Sequence, residues 1–259
     1  MITVPDRLLE LPSVRIRYQD SDLLVLEKEL TEPLYGRESY LNRHVVSVVL
    51  SGQQRIESED GSVVRIRAGE AAVLARGIYT VTDLLAEGGT FRVLLFYFGA
   101  ALLRRLAPAI APVSTRTWAR TPVQMEQIRQ LVSHSIDRTR SLLFLQSLPP
   151  LTQLHQSPRR RSILPFLEAH YDKSLTLEDF AYLTGRSVST FQRGFRKQTG
   201  ESPRKWIIRR RMERARELLT AGLRSDVAGL AAQVGYQNTS HFIKTYKSFY
   251  GVTPGNVER

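Results

Sequence analysis

The stretch LAAQVGYQNTSHF, residues 230–242, predicts two short helices joined by a tight turn. The first helix covers residues 227–234, and Gly235 forms the turn because glycine adopts the left-handed conformation without a steric cost. Asn238 or Thr239 caps the second helix, since short polar side chains accept hydrogen bonds from its first amides. The second helix has an aromatic inner face and a polar outer face: Phe242, Tyr246 and Phe249 inside, Ser240, Lys244 and Lys247 outside. This pattern predicts a helix-turn-helix.

A second unit of the same kind is predicted upstream, in residues 176–196. Thr176 caps a helix that carries acidic residues in its first turn, where negative charge favours the helix dipole. Gly185 ends that helix, and Ser187 caps the next one. The helix after Ser187 again has two faces: Phe191 and Phe195 inside, and Ser189, Gln192, Arg193 and Arg196 outside. Two such units in one chain favour DNA binding more strongly than one unit does.

A longer helix, from Ser202 and Pro203 to about Leu219, is predicted to join the two units. At ~1.5 Å per residue it spans roughly 27 Å. Successive major-groove faces lie about 34 Å apart along one side of the duplex, so both outer faces can reach the same side. The helix also carries a cluster of basic residues that supplies positive charge: Arg209, Arg210, Arg211 and Arg214.

The net charge of +12 is concentrated in the C-terminal part of the 259-residue chain. Residues 1–157 carry 18 Lys and Arg against 16 Asp and Glu, a net of +2. Residues 158–259 carry 19 against 9, a net of +10, which indicates a polyanionic partner. Prolines and polar residues place a linker at residues 156–161, between an N-terminal domain of residues 1–155 and a C-terminal domain of residues 162–259.

The chain contains no cysteine, which excludes disulfides, cysteine-held metals and thiol catalysis. Its longest apolar run, residues 93–103, is too short to span a bilayer, so we expect a cytoplasmic protein without a membrane partner. Histidine is absent between His44 and His134, so the strands of the N-terminal domain cannot supply a histidine metal site. We therefore expect no enzyme, no catalytic residue, no metal and no cofactor.

Short strands separated by glycine turns are predicted over residues 14–98, which favours a small β-barrel or jelly roll. A helical pattern follows over about residues 100–155, with Thr121 and Pro122 as a helix start. This part has an apolar stripe that packs within the chain or forms a homodimer. Its members are Met125, Ile128, Leu131, Val132, Ser135 and Ile136.

Residues from about 162 to 254 resemble the DNA-binding domain of AraC-type transcription regulators. The resemblance rests on residues 230–236, 240–242, 244–247 and 250–254, and on residues 191–197 and 200–203 for the first unit. The chain departs from the family pattern at Val257 and Glu258, where an aromatic–Arg pair is usual. The N-terminal domain is similar, at residues 50–52, 68–70 and 76–79, to the cupin-like regulatory half of the family, and within it to activators of virulence and secretion genes.

The resemblance implies an α+β protein with an N-terminal cupin-like β-barrel, a helical subdomain and a C-terminal all-α domain. It implies a sequence-specific activator that binds double-stranded DNA, works with RNA polymerase and is controlled by a small molecule or a protein partner. In base contacts, Arg pairs with guanine and Gln with adenine. Three basic residues are instead assigned to phosphate contacts: Arg196, Lys197 and Lys247. The full set of DNA-contacting residues is Ser187, Ser189, Thr190, Gln192, Arg193, Arg196, Lys197, Asn238, Thr239, Ser240, His241, Ile243, Lys244 and Lys247.

In the N-terminal domain, four basic residues are candidate anchors for an anionic effector: Lys28, Arg37, Arg43 and His44. Two other classes of function remain open at this point. One is a non-specific architectural DNA-binding protein, which needs positive charge but no ordered recognition faces. The other is a metal-free cupin enzyme fused to a DNA-binding domain.

Overall fold

The computed structural model describes residues 2–106, 118–122, 125–133, 135–148, 160–221 and 226–256. The chain divides into two compact units, residues 1–157 and 158–259. Residues 156–159 of the predicted linker, together with Val257 and Glu258, lie outside the described residues. In the described part of the chain, no helix is both long and apolar enough to cross a membrane.

The N-terminal unit is built mainly from strands. Its strands are β1 (Ile2–Val4), β2 (Val14–Gln19), β3 (Leu23–Leu30), β4 (Leu34–Leu41), β5 (His44–Ser51), β6 (Gln53–Ser58), β7 (Val63–Arg67), β8 (Glu70–Leu74), β9 (Gly77–Leu84), β10 (Phe91–Phe98) and β11 (Trp118–Pro122). Short strands were predicted over residues 14–98, and β2 to β10 lie within this range. Two strands were not predicted: β1, which pairs in parallel with β4, and β11, which pairs with β8.

Within the described residues, the strands form two sheets rather than one closed barrel. The five-stranded sheet has the order β1-β4-β9-β6-β7, and the six-stranded sheet has the order β11-β8-β5-β10-β3-β2. A closed barrel and a pair of facing sheets bury the same alternate side chains, so the strand pattern cannot distinguish them. The predicted α+β class is confirmed. The predicted β-barrel is wrong in one respect, because the described strands do not close into a barrel.

Strand β5 shows how the N-terminal unit is packed. Val45 and Val49 belong to an apolar core between the two sheets. Val46 and Val48, on the opposite face, belong to a second core between the six-stranded sheet and the helices. Burial on both faces explains why residues 44–50 form a nearly continuous apolar run.

The helices of this unit are α1 (Ala100–Leu106), α2 (Met125–Ser133) and α3 (Arg138–Gln146). The predicted helix start at Thr121 and Pro122 is wrong, because both residues belong to β11, which pairs with β8. Strand β11 is at the edge of its sheet, where proline is tolerated and where the free edge of β8 offers hydrogen bonds. The apolar stripe is also divided, since α2 ends at Ser133 and Asp137 caps α3 by accepting from the Arg140 amide.

The C-terminal unit is helical. Its elements are α4 (Ile163–His170), α5 (Leu177–Leu183), α6 (Val188–Thr199), α7 (Pro203–Thr220), α8 (Val227–Gln233), α9 (Thr239–Tyr250) and a short 3₁₀ helix (Pro254–Asn256). The two predicted helix-turn-helix units are α5–α6 and α8–α9, and the predicted joining helix is α7. Helix α7 begins with Pro203 at its first position and Ser202 as its cap, as the sequence predicts.

Candidate nucleic-acid interface

The first helix-turn-helix is fixed by local hydrogen bonds. The Thr176 hydroxyl accepts from the Asp179 amide at 3.2 Å, and the Asp179 carboxylate accepts from the Thr176 amide at 2.8 Å. Together they form a capping box at the start of α5. Gly185 has a φ of +69° in the turn, and the Ser187 hydroxyl accepts from the Thr190 amide at the start of α6. The direction of α6 is therefore set by residues close to it in sequence.

Helix α6 has one buried and one exposed face. Phe191 and Phe195 are fully buried, and the Phe195 ring meets the Trp206 ring of α7 edge to face at 5.8 Å. The burial of these aromatic side chains anchors α6 and turns its polar side outward. The predicted contact residues on and beside this helix are exposed: Ser187, Ser189, Thr190, Gln192, Arg193, Arg196 and Lys197.

The second helix-turn-helix repeats this construction. Gly235 has a φ of +84°, and the Asn238 side chain accepts from the His241 amide at 2.8 Å, so Asn238 is the cap of α9. Phe242 and Tyr246 are buried against α7 and α8. Of the predicted contact residues, Asn238, Ser240, His241, Lys244 and Lys247 are exposed, and Thr239 and Ile243 are half-buried.

Phe249 corrects the predicted inner face of α9. Its side chain is 45% exposed, whereas the helical pattern predicts it in the core. Tyr250 occupies the inward position instead, with its ring 4.8 Å from that of Tyr246. Tyr250 lies four residues after Tyr246, and this spacing continues the inner face of the helix better than a spacing of three does.

The basic residues of α7 differ from those of α6 and α9 in their partners. Arg209 pairs with Glu201 at 2.7 Å and with Glu213 at 3.1 Å, and the bond with Glu201 raises the pKa of its guanidinium. Arg210 pairs with Glu213, and Arg214 with Glu217, both at 3.0 Å. Among the described residues, by contrast, no acidic side chain pairs with the five cations of the recognition helices α6 and α9: Arg193, Arg196, Lys197, Lys244 and Lys247. These five cations remain available for phosphates or bases.

In the N-terminal unit, Lys28 lies in a buried chain of hydrogen bonds between the two sheets. Its Nζ is 2.5 Å from the Asp83 carboxylate, which also accepts from the Gln54 amide at 2.8 Å. The Ser47 hydroxyl donates to the Gln54 carbonyl at 2.7 Å. Because Asp83 balances the charge of Lys28, the lysine is not a free anchor for an anion.

A cavity adjoins this chain of hydrogen bonds. It measures about 50 Å³, taken as the space open to the centre of a water molecule, and most of its lining is apolar. About 10–15 Å³ on this measure holds one water, so the cavity accepts only small groups without repacking. Lys28 and Arg37 line it, whereas Arg43 and His44 do not. The four candidate effector residues therefore do not form one site around this cavity.

His44 is buried at the start of β5, and its ring stacks on Phe98 at 6.0 Å. Burial, together with the nearby charge of Arg76, lowers the pKa of His44 to about 4. The imidazole is therefore neutral near pH 7 and adds no positive charge for an effector. In the described ranges, no group of three or more His, Cys, Asp or Glu side chains is placed to hold a metal ion.

Comparisons with known proteins match both units. The family profile described as a helix-turn-helix domain matches residues 180–259, which include most of α5 and all of α6 to α9. The profile described as the ExsA N-terminal regulatory domain matches residues 44–115, which include β5 to β10 and α1. Each unit of the chain is thus similar to a domain that occurs in known regulators.

The chain is also similar to individual regulators, over most or part of their length. The HTH-type transcriptional regulator ExsA of Pseudomonas aeruginosa is 28% identical over 239 residues, which cover 81% of this chain and 84% of ExsA. The virulence regulon transcriptional activator VirF of Yersinia enterocolitica is 31% identical over 137 residues, 53% of this chain and 48% of VirF. The crystal structure of ToxT from Vibrio cholerae with a bound unsaturated fatty acid is 14% identical, with a TM-score of 0.44, and covers 94% of this chain and 100% of ToxT.

Proposed function

We propose that this chain, an AraC-type transcription regulator with an ExsA-type N-terminal domain, reads two adjacent major-groove segments of one DNA site. The observation that carries the proposal is the pair of capped recognition helices, α6 and α9, each with a buried aromatic face and an exposed polar face. An architectural DNA-binding protein needs positive charge alone, and the amide and hydroxyl groups on these faces would then have no role. The proposal assigns the chain no catalytic step and places it in the cytoplasm with the DNA.

The proposed contacts fall into two classes. Gln192 and Arg193 of α6 read base edges, because an amide pairs with adenine and a guanidinium with guanine. In α9, the side chains of Ser240, His241 and Lys244 take this role, and half-buried Ile243 offers apolar contact to a thymine methyl group. Arg196, Lys197 and Lys247 bind phosphates, which position the protein without reading sequence.

Selection from a random duplex library followed by hydroxyl-radical footprinting tests this proposal. We expect one enriched sequence with two protected segments whose centres lie about 10–10.5 base pairs apart on one face of the duplex. Protection without an enriched sequence would instead show an architectural DNA-binding protein. A single protected segment would limit recognition to one of the two units.

Activation through RNA polymerase is the proposed outcome of DNA binding. The similarity to ExsA and to the activator VirF supports this direction of control and a role in virulence genes. Run-off transcription from a template that carries the selected site should rise when the protein is added to purified polymerase. A fall in transcription would make the protein a repressor.

The N-terminal unit is proposed to control the regulator and to form a homodimer through α2 and α3. A groove between these helices is lined by Leu131, Leu143 and Phe144 together with polar side chains, and Leu143 is 62% exposed. A second copy of the same surface would bury Leu143, as a two-fold interface does. The signal is either a small molecule bound to this unit or a protein partner.

Native mass spectrometry of the freshly purified full chain tests both parts. We expect the mass of two copies for the wild-type protein and of one copy for Leu143→Arg, because a charge at the centre of an apolar interface opposes association. One copy in both proteins would remove the proposed dimer. A stoichiometric extra mass identifies a small-molecule signal, and its absence favours a protein partner.

A further inference from the structure

Arg211 lies near the middle of α7, and its side chain differs from those of the neighbouring arginines. Its Nε donates to the carbonyl of Tyr171 at 2.6 Å, and its Nη2 donates to that of Lys173 at 2.6 Å. Its Nη1 donates to the carbonyl of Gly235 at 3.0 Å. One guanidinium thus binds the loop between α4 and α5 and, at the same time, the turn of the second helix-turn-helix.

The two segments that Arg211 joins are in close contact at Gly235. A Cβ atom at this position would lie 2.7 Å from the Asp172 carbonyl oxygen and 2.9 Å from the Arg211 Cζ. Only glycine therefore allows the turn to approach the loop this closely. The φ of +84° at this position is a second reason, since glycine adopts it without a steric cost. The Tyr236 ring lies next to the guanidinium, with its centroid 5.6 Å from the Arg211 Cζ.

The Arg211 contacts form a second connection between the two helix-turn-helix units, beside the one that helix α7 provides. Helix α7 packs against α6 through Trp206 and against α9 through Arg216, whose guanidinium lies 4.7 Å from the Tyr250 ring centroid, so the helix alone already joins them. A single helix can still bend and twist along its length, and this motion would change the position of α9 relative to α6. A contact from the middle of α7 to both units restricts that motion, because the planar fork of arginine requires all three carbonyls to keep their places.

We propose that Arg211 is a positioning residue that fixes recognition helix α9 relative to recognition helix α6, and so sets the spacing of the two DNA segments that the protein accepts. The spacing part rests on the proposed function. The fixing of the two helices does not, since it is a property of the protein without DNA.

The first test measures the distance between the helices in the full chain without DNA. The chain has no cysteine, so Gln198→Cys on α6 and Ser248→Cys on α9 give two unique spin-label sites, both exposed and outside the proposed contact set. Pulsed electron paramagnetic resonance should give a narrow distance distribution with Arg211. We expect Arg211→Lys to broaden it about twofold, because one ammonium cannot hold three carbonyls in the same plane.

Arg214→Lys is the matched control, since Arg214 is on the same helix but, within the described part of the chain, pairs with Glu217 alone. Three results would overturn the proposal. They are a broad distribution in the protein that keeps Arg211, equal distributions in the two lysine variants, and a loss of helical circular dichroism in Arg211→Lys alone. The last result would make Arg211 a folding residue rather than a positioning residue.

The second test measures tolerance to altered spacing on the selected DNA site. One inserted base pair moves the second segment by ~3.4 Å and rotates it by about 34°. The wild type should lose about 100-fold in affinity, the equivalent of about two base contacts. Arg211→Lys should lose about tenfold or less on insertion, because α9 can follow the displaced segment.

The two tests separate the two proposals. A narrow wild-type distance that broadens in Arg211→Lys, with no spacing penalty in either protein, would keep the positioning role and reject two-segment recognition. A spacing penalty of equal size in the two proteins would reject the positioning role and keep two-segment recognition.

Discussion

Replacing Gln192 and Arg193 together by alanine is expected to remove most of the preference of the protein for its selected site over random duplex. Both side chains are exposed on α6, and the cap at Ser187 and the buried Phe191 fix their direction. Each bidentate pair discriminates by about 1–3 kcal/mol, so two pairs contribute about 2–6 kcal/mol. The ratio of specific to non-specific affinity should therefore fall by a factor of about 30 to about 10⁴.

Fluorescence anisotropy with labelled selected duplex and unlabelled random competitor measures this ratio. Arg214→Ala is the control, because it also removes one positive charge from an exposed helix position but leaves the recognition faces intact. The control should keep the ratio. If the double variant loses specific and non-specific affinity by the same factor, the two residues bind phosphates and the assignment of base contacts is wrong.

The DNA-binding half was predicted well from sequence because its structural signals are local. Thr176, Ser187 and Asn238 cap helices that begin within a residue of their expected positions, and Gly185 and Gly235 form the expected turns. These residues act on backbone groups only three or four positions away. The pattern of each unit could therefore be recognised without any knowledge of what packs against it.

The errors arose where distant parts of the chain decide the structure. Thr121 and Pro122 have the sequence of a helix start, but the free edge of β8 takes them into a strand. Lys28 was named as a candidate anchor for an anionic effector, but it pairs with Asp83, which lies 55 positions away. Arg211 could not be distinguished from Arg209 and Arg210, because its three carbonyl partners are in two other segments. Sequence patterns contain no information on such partners.

The distribution of ion pairs changes how the positive charge of the C-terminal unit should be understood. Much of the charge of α7 is balanced by Glu201, Glu213 and Glu217, so this helix contributes less to a phosphate-binding surface than its composition indicates. Among the described residues, the five cations of α6 and α9 have no acidic partner, and Arg204 and Lys205 at the start of α7 have none either. We therefore expect DNA affinity to depend mainly on α6 and α9 and only weakly on the three paired arginines of α7: Arg209, Arg210 and Arg214.

The affinity for the selected site is expected to fall steeply with salt. Binding of a phosphate by Lys or Arg releases a condensed counterion, and each contact adds about −0.9 to the slope of log affinity against log salt. The three cations assigned to phosphates, Arg196, Lys197 and Lys247, give a slope of about −2.7, a loss of about 40-fold between 50 and 200 mM salt. Six to ten contacts, the number reached when further cations also bind phosphates, give a loss of about 10³–10⁵.

A pair of variants tests which cations produce this slope. Arg196→Gln should reduce its magnitude by about 0.9 and weaken binding to selected and random duplexes alike, because a phosphate contact carries no sequence information. Arg214→Gln removes the same charge from α7, where Glu217 already balances it, and should leave the slope nearly unchanged. Anisotropy titrations at a series of salt concentrations give both slopes. Equal slopes for the two variants would show that net charge, rather than the recognition helices, sets the affinity, and a flat response in the wild type would exclude a polyanionic partner.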